Sequence, residues 1–421
     1  MKKLLCVFLP AFVLLAACKK DPKPVEPGTE LPGKIPSDPK ARPVGEPIGP
    51  GIVAMVTPAG ATITSADGSF KLRIPVGAVN ANTDILVQEV KNTAPGAVGR
   101  SFELQPHGTV FQKPVTLEFS WEGHESWVNI PEALGVAWQD EKNFWRLTKA
   151  PVIDKVKKTV SVQTTHFSNW ALLQWLQLEP VATTVKAGGQ AQLTVKSYIP
   201  LSGDDLLTPL VPADGQDIAL GEGKPLPGSF IRSWAVGGVG KVQGNGGQGT
   251  YSAPATVQKP EIANVTATLK DRKQQLMVVS TVTVIPEGIS FKVDGGPWIH
   301  FPAHSGPDDE GFEMSGFGDD GYFAIAWPGG TGSRSWNKDN TIALVYSNTK
   351  TGRNYESVFY EEALGRFVPA GGSLNVVELG AKGEYISGNF TMSGGGVFTD
   401  NDREPISKST IQGYFYVRHD L

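Results

Sequence analysis

The sequence predicts an all-β protein built of tandem β-sandwich domains. Short runs of alternating apolar and polar residues recur along the chain, a spacing typical of strands that bury one face. Clusters rich in Gly, Pro, Asn and Asp separate these runs, and the 421 residues include 49 glycines and 32 prolines. Helical periodicity is almost absent, and only residues 131–134 (PEAL) indicate one helical turn. Four examples of the alternating runs are 70–74, 115–119, 191–195 and 278–282.

The first 17 residues have the layout of a signal peptide. Two lysines precede an apolar stretch that is too short to span a bilayer core of about 30 Å as a lasting helix. Residues 15–17 (Leu-Ala-Ala) stand directly before Cys18, and this box resembles the lipobox of bacterial lipoproteins. The resemblance implies that residues 1–17 are removed and that Cys18 carries acyl chains, which anchor the protein stably to a membrane. A secreted protein or an uncleaved anchor is the alternative.

The residues around the anchor also bear on location and chemistry. Lys19 follows the lipid cysteine, whereas lipoproteins held in the inner membrane commonly have Asp there. The resemblance therefore implies the outer membrane, with the protein facing the cell surface or the periplasm. Cys6 leaves with the signal peptide, so the mature chain has no thiol for a disulfide, a thiolate zinc site or a cysteine nucleophile.

Composition divides the remaining chain into a tether and three domains. Residues 18–50 are crowded with proline, glycine and mixed charge, which predicts a semi-extended tether reaching on the order of 100 Å. Shifts in composition at Glu179-Pro180 and at 284–288 then predict domains over 51–177, 178–286 and 287–421. The net charge of −4 is evenly mixed and no basic patch is present, so we expect no nucleic-acid partner.

Residues 60–79 and 101–119 carry several spaced signatures. The first segment contains a strand, an Asp-Gly turn and IPVGAV at 74–79, and the second contains PHGTVFQKPV at 106–115. In this order they resemble the ZU-five domain, a β-sandwich of zonula occludens proteins, uncoordinated-type netrin receptors, ankyrins and many bacterial surface proteins. The resemblance covers about residues 52–176. Its glycines are expected at turns with positive φ, and its prolines at strand edges or starts.

The other two domains resemble modules of bacterial surface proteins. Trp234 is followed by GTYSAP at 249–254 and then by a pair of strands rich in Ile, Val and Thr. This order is usual in bacterial immunoglobulin-like repeats. That resemblance implies that Trp234 fills the space between two sheets, with no disulfide beside it. Residues 287–421 resemble an uncharacterised domain of bacterial lipoproteins, and no activity comes with that resemblance. The glycine-rich run 237–249 lacks the Lys-Ser/Thr ending of a phosphate loop and predicts a hairpin.

One triplet, His166-Phe167-Ser168, carries candidate chemistry. Some eukaryotic members of the ZU-five group cut their own chain between Phe and Ser of the same triplet. The resemblance implies that the Ser168 hydroxyl attacks the preceding carbonyl with His166 as general base, and that water releases the ester. The favoured interpretation is structural, with Phe167 in the core, Ser168 bonded to a turn amide and His166 at the rim.

Few other residues indicate chemistry, and we expect neither a cofactor nor a metal. His300 and His304 are separated by Pro302, so they cannot share a helix face, and on a strand they lie about 13 Å apart. Acidic runs have no calcium-loop spacing, which favours solvated turns. These runs are 307–310, 319–320 and 400–402.

Tryptophans offer a different function, since an exposed aromatic face can stack on a sugar ring. Two are expected in the core, Trp138 and Trp145. Five others lie near turn signals and are candidates for a glycan platform: Trp121, Trp127, Trp298, Trp327 and Trp336.

The sequence thus predicts a non-enzymatic, outer-membrane-anchored lipoprotein that acts in adhesion, scaffolding or ligand binding. Its expected partners are the membrane, through Cys18, and an extracellular protein or glycan. Two alternatives remain, namely self-cleavage between Phe167 and Ser168 and an accessory role in glycan binding.

Overall fold

The computed structural model confirms the all-β prediction. It describes residues 39–202, 205–209, 217–271, 274–307, 311–337, 339, 341–399 and 405–420. Within these ranges the chain forms 36 strands and two 3₁₀ turns, and no α-helix is found there. One of the turns, Pro131–Ala133, falls at the predicted helical turn.

The first group of strands forms a two-sheet sandwich, here called the first sandwich. Its strands are β1 Ile52–Val56, β2 Ala61–Thr64, β3 Phe70–Ile74, β4 Thr83–Val90, β5 Ala97–Gln105, β6 Val110–Ser120, β7 Leu134–Gln139, β8 Trp145–Leu147, β9 Val152–Asp154, β10 Thr159–His166 and β11 Asn169–Gln174. One sheet has the order β1-β4-β5-β11-β7-β8, and the other has the order β2-β3-β6-β10-β9. Alternate residues of β3 and β6 face the core between the two sheets, where the ring of Phe70 stacks 4.4 Å from that of Phe102 on β5.

The second group forms the second sandwich, with a 3₁₀ turn at Gly228–Phe230. Its strands are β12 Leu176–Glu179, β13 Ala182–Lys186, β14 Gln190–Ser197, β15 Leu201–Ser202, β16 Asp205–Pro209, β17 Ile218–Ala219, β18 Lys224–Pro225, β19 Ile231–Gly238, β20 Lys241–Asn245, β21 Gln248–Ser252, β22 Glu261–Lys270 and β23 Gln275–Ile285. Its sheets have the orders β12-β14-β21-β20 and β13-β23-β22-β19, with β18 beside β14 and β15 paired with β16. β17 pairs with β8 and so extends a sheet of the first sandwich. One hydrophobic core continues through both sandwiches.

The third group forms a continuous sheet, here called the terminal sheet. Its strands are β24 Gly288–Val293, β25 Ile299–Phe301, β26 Ala303–Pro307, β27 Phe312–Gly318, β28 Gly321–Trp327, β29 Gly332–Ser335, β30 Ala343–Asn348, β31 Arg353–Glu356, β32 Val358–Glu361, β33 Arg366–Pro369, β34 Gly371–Leu379, β35 Tyr385–Thr399 and β36 Ser407–His419. The order is β25-β24-β36-β26-β27-β28-β30-β31-β35-β34-β29, while β32 and β33 form a separate hairpin. Because β35 also pairs with β36, the strands from β36 to β35 close into a ring around a third core.

Residues 39–50 correct the predicted end of the tether. Arg42 donates its backbone N–H to the carbonyl of Asn143 at 3.0 Å, and its guanidinium forms a 3.0 Å ion pair with Glu222. Ile48 donates to the carbonyl of Glu89 at 2.8 Å, and Pro47 bridges to Val90. The folded part therefore includes residues that the sequence assigns to the tether. Residues 1–38 lie outside the described part, including the predicted signal peptide and Cys18.

Trp234 lies between the two sheets of the second sandwich, as predicted. Its strand β19 belongs to one sheet, and its ring packs on Gly244 and Gly249 of the other. A Cβ atom would lie 2.0 Å from the indole at Gly244 and 2.7 Å at Gly249, so neither position accepts a side chain without a shift. The glycine-rich run forms the predicted hairpin, and its glycines make room for this ring.

The prolines of the first sandwich behave differently from one another. Pro75 directly follows the last residue of β3, an inner strand, so it lies at a strand end and not at the predicted edge or start. Pro114 instead lies inside β6, where the pairing with β10 shifts between Thr164 and His166, so the prediction of a strand edge or start is wrong there. The shift tolerates a residue without an N–H donor. Gly68 and Gly108 have φ of 76° and 80°, which confirms the predicted turns.

Candidate functional site

The His166-Phe167-Ser168 triplet lies where the chain passes from one sheet of the first sandwich to the other. His166 ends β10, and β11 begins immediately after Ser168. Phe167 points into the core, and its ring centre lies 4.8 Å from that of Phe111 in an edge-on arrangement. The predicted core position of Phe167 is therefore confirmed, and burial of this ring fixes the crossing between the sheets.

The His166 imidazole is held between two indole rings. Its centre lies 4.6 Å from Trp138 and 5.3 Å from Trp170. Burial lowers the pKa of His166 below its ordinary value, although a hydrogen bond with the Phe167 backbone and the charge of Asp217 act in the opposite direction. Asp217 also accepts a hydrogen bond from Trp138 Nε1 at 2.8 Å. A lowered pKa keeps the ring uncharged at neutral pH.

The Ser168 hydroxyl is bonded to a group other than the His166 ring, which would have to act as its base in self-cleavage. Its Oγ donates a hydrogen bond to the backbone carbonyl of Gln139 on β7. The expected bond to a turn amide is therefore wrong, because the hydroxyl serves as donor to a carbonyl. In the described part of the chain, no hydrogen bond joins the His166 ring to Ser168 Oγ. The structure thus places the predicted base and nucleophile in one segment without joining them.

A denaturing gel checks whether the chain is cut at this position. We expect purified protein to run as one uncut band, because the Ser168 hydroxyl is engaged by Gln139. The Ser168→Ala variant should give the same single band. Two fragments from the native protein that merge into one band in Ser168→Ala would contradict this expectation and establish self-cleavage.

Other residues singled out by the sequence have separate partners. His300 lies on β25 and its Nδ1 contacts Ser290 Oγ at 2.9 Å, whereas His304 lies on β26 and contacts Asp420 at 2.7 Å. Asp320 pairs with Lys350. The described ranges hold no group of three or more His, Cys, Asp or Glu side chains suited to a metal ion. They also hold no helix with the length and apolar character needed to cross a membrane. Residues 308–310 and 400–402 lie outside these ranges.

The tryptophans separate clearly by exposure. Trp145 is buried as predicted, whereas Trp138 is only partly buried and its indole reaches Asp217. Three candidates for a glycan platform are buried, namely Trp121, Trp327 and Trp336. Of the five candidates, only Trp127, which is 42% exposed, and the partly exposed Trp298 present surface to solvent.

Trp298 stands at the edge of a cleft of about 420 Å³, here called the Trp298 cleft, which lies between the second sandwich and the terminal sheet. Its ring lies in the turn between β24 and β25, with Tyr414 at 6.0 Å and the ammonium of Lys292 at 4.8 Å. The cation–π contact and the tyrosine ring fix the indole in place. The rest of the lining is mostly polar, with Ala182, Phe390 and Gly413 as its apolar members; the polar members are Thr183, Thr184, Thr283, Asn389, Thr391 and Gln412.

The amide side chains of this cleft and two of its hydroxyl side chains come from the β35–β36 pair, whereas its other threonines belong to the second sandwich. Asn389 lies opposite Tyr414, and Thr391 lies opposite Gln412. Alternate residues of β35 point outward, because the others fill the core of the terminal sheet. None of the residues that line the cleft carries a charge. Among the described residues, the side chains of Asn389, Thr391, Gln412 and Tyr414 form no hydrogen bond with another protein group, so their donors and acceptors face the cleft uncommitted.

A second cavity, of about 620 Å³, adjoins the first and shares Thr184 and Asn389 with it. Here Lys186 of the second sandwich donates a 2.8 Å hydrogen bond to the hydroxyl of Tyr416. The same ammonium lies 5.3 Å from the ring of Tyr385, which stacks 4.3 Å from Tyr416. The bond to Tyr416 raises the pKa of Lys186. This contact clamps the second sandwich to the terminal sheet beside the Trp298 cleft.

The cavity beside Trp127, of about 450 Å³, has a different character. Its charged groups are paired with one another: Arg42 with Glu222 at 3.0 Å, and Lys196 with Glu179 at 2.8 Å. The Tyr198 hydroxyl also donates to Glu179, and burial raises the pKa of Tyr198. These side chains join residues 39–50 and the two sandwiches, and we interpret the cavity as a structural junction.

Sequence reasoning singled out Trp298 but missed the side chains around it. Asn389, Thr391, Gln412 and Tyr414 belong to ordinary alternating strands, and nothing in the alternation distinguishes a ligand-facing residue from a solvated one. The available signal was the run of outward amide and hydroxyl residues along residues 385–391.

Comparisons with known proteins add no relative. No protein-family model matches the chain. No curated protein matches it with significant similarity.

Proposed function

We propose that this protein is an outer-membrane-anchored lipoprotein that binds a ligand without chemical transformation, in adhesion, scaffolding or ligand capture. The anchor rests on the Leu-Ala-Ala-Cys box that ends at Cys18. Binding rests on one observation above all, the Trp298 cleft. Its aromatic edge and uncommitted polar side chains resemble the lining of small-molecule sites, in which a few convergent polar groups accompany apolar surface.

The first sandwich supports a binding and scaffolding role over self-cleavage. The Ser168 hydroxyl is used to hold β7 against the start of β11, and the Phe167 ring fills the core. We propose that this sandwich is a ZU-five-type domain and that the second is immunoglobulin-like. Trp234 between two sheets without a neighbouring cysteine, and positive φ at Gly68 and Gly108, support those assignments.

Digestion of intact cells tests the display of these domains at the surface. Proteinase K added to intact cells is expected to degrade the protein, because the anchored domains would lie outside the outer membrane. A soluble periplasmic protein serves as the control and should survive until the outer membrane is permeabilised. Survival of this protein to the same point as the control would overturn surface display and place its ligand in the periplasm.

A further inference from the structure

We infer that the Trp298 cleft binds an uncharged oligosaccharide. The inference deepens the proposed function and rests on it, because it names the class of ligand that the same site takes. Three features of the cleft carry it: an aromatic ring at its edge, a lining of amide and hydroxyl side chains, and the lack of any charged lining residue.

The aromatic edge suits the apolar face of a sugar ring. The π face of an indole carries partial negative charge and attracts the weakly positive C–H groups that a pyranose presents on one face. Trp298 remains partly exposed, while Tyr414 and Lys292 hold its orientation. The ring is therefore preorganised, which reduces the entropy lost when a ligand stacks on it.

The side chains opposite Trp298 match the hydroxyl groups of a sugar. Asn389 and Gln412 each offer both a donor and an acceptor, and the hydroxyls of Thr391 and Tyr414 can do either. A sugar hydroxyl also donates and accepts, so each pair can form hydrogen bonds in both directions. The four side chains stand on two paired strands of the terminal sheet, whose rigid backbone fixes their spacing.

Charge argues against the other ligands that use aromatic stacking. A nucleotide or an acidic glycan needs cationic partners, and the lining of this cleft supplies none. The ammonium of Lys292 contacts the Trp298 ring, and that of Lys186 in the adjoining cavity is bonded to Tyr416. In the Trp127 cavity, by contrast, the charged groups compensate one another and leave little for a ligand.

The length of the ligand follows from the adjoining cavity. The two cavities share Thr184 and Asn389, and their volumes of about 420 and 620 Å³ each fall within the ~300–1,000 Å³ range of small-molecule sites. The adjoining cavity, unlike the cleft, has charged residues in its lining, and each is bonded within the protein: Lys186 to Tyr416, Glu378 to Ser387 and Glu384 to the Ala381 N–H. A single sugar would fill only part of this space. We therefore assign the site to an internal stretch of a glycan chain rather than to a lone terminal sugar.

Affinity electrophoresis of the mature, detergent-solubilised lipoprotein tests the inference. Native gels would contain soluble neutral polysaccharides (a β-glucan, a mannan and a xylan in separate gels) or anionic polygalacturonate. We expect at least one neutral polysaccharide to retard the protein, and Trp298→Ala to raise the apparent Kd at least tenfold. Trp127→Ala is the matched control, an exposed tryptophan outside the cleft, and should migrate like the native protein.

A second variant keeps the test decisive if Trp298→Ala folds poorly. Gln412 is exposed and has no partner among the described residues, so Gln412→Ala should leave the fold intact and weaken retardation several-fold. Any of three results would overturn the inference. No neutral polysaccharide retards the protein, or only polygalacturonate retards it, or a neutral polysaccharide retards the native protein and Gln412→Ala equally. A peptide array probed in the same buffer separates failure of the glycan inference from failure of the proposed ligand-binding function. Peptide binding lost in Gln412→Ala would reject the glycan class while preserving ligand binding.

Discussion

Replacing Phe167 with Ala is expected to lower the free energy of unfolding of the first sandwich by about 3–5 kcal/mol. The side chain is 4% exposed and contacts the edge of Phe111, within a core that spans both sheets. Truncation removes the apolar contacts and leaves a cavity that paired strands cannot collapse to fill. The position also fixes the passage of the chain from β10 to β11, so loss of the ring affects both sheets.

Denaturant unfolding followed by tryptophan fluorescence measures this change. Phe317→Ala is the matched control, because the same truncation is made at a side chain that is 70% exposed, and it should cost less than about 1 kcal/mol. Equal midpoints for Phe167→Ala and the native protein would contradict the structural role of the triplet. In that case the ring would have to be explained by a role other than packing.

The triplet shows what the sequence predicts and where such prediction ends. The position of Phe167 at a strand end, in an apolar pattern, is sufficient to predict burial. The partner of Ser168 is not predictable in the same way, because Gln139 is 29 residues distant and meets Ser168 only through sheet pairing. The surroundings of His166 likewise depend on Trp138 and Asp217, which reach it from two other parts of the chain.

The sequence does not predict the lining of the Trp298 cleft or the packing of residues 39–50, and the physical reason is the same for both. Alternation reports which face of a strand is buried, but it does not report what the other face meets. Trp298 is brought beside Tyr414, more than a hundred residues later in the chain, by the pairing of β24 with β36, and β35 places Asn389 opposite Tyr414. In residues 39–50 the backbone supplies much of the binding to the sandwiches, and backbone hydrogen bonds leave no mark on composition. The proline and glycine in this segment therefore predict a tether, although the segment is packed on the sandwiches.

The Trp298 cleft lies between two groups of strands, so binding there depends on both of them. One wall comes from β13 of the second sandwich and the other from the β35–β36 pair of the terminal sheet. Lys186 ties the two together through Tyr416, beside the cleft. Neither group of strands contains a complete site by itself, so a ligand that bridges them is held only when both are in place.

Replacing Cys18 with Ser is expected to abolish lipid attachment and release the protein from the membrane fraction. The hydroxyl of serine cannot form the thioether on which acylation at the proposed lipobox would depend. Because stable membrane attachment needs more than one anchoring signal, loss of all acyl chains leaves no comparable attraction to the bilayer. Incorporation of radiolabelled palmitate and fractionation of cell extracts measure the two effects, and both should be complete rather than graded.

The chain supplies its own control, since Cys6 is the only other cysteine. Cys6→Ser makes the same chemical change inside the predicted signal peptide and should leave palmitate incorporation and membrane attachment unchanged. If Cys18→Ser still incorporated palmitate, or remained in the membrane fraction like the native protein, the anchor would lie elsewhere. The ligand-binding surface would then be tethered by a different device or not at all, although the Trp298 cleft itself would stand, because its walls are built entirely from residues after Val181.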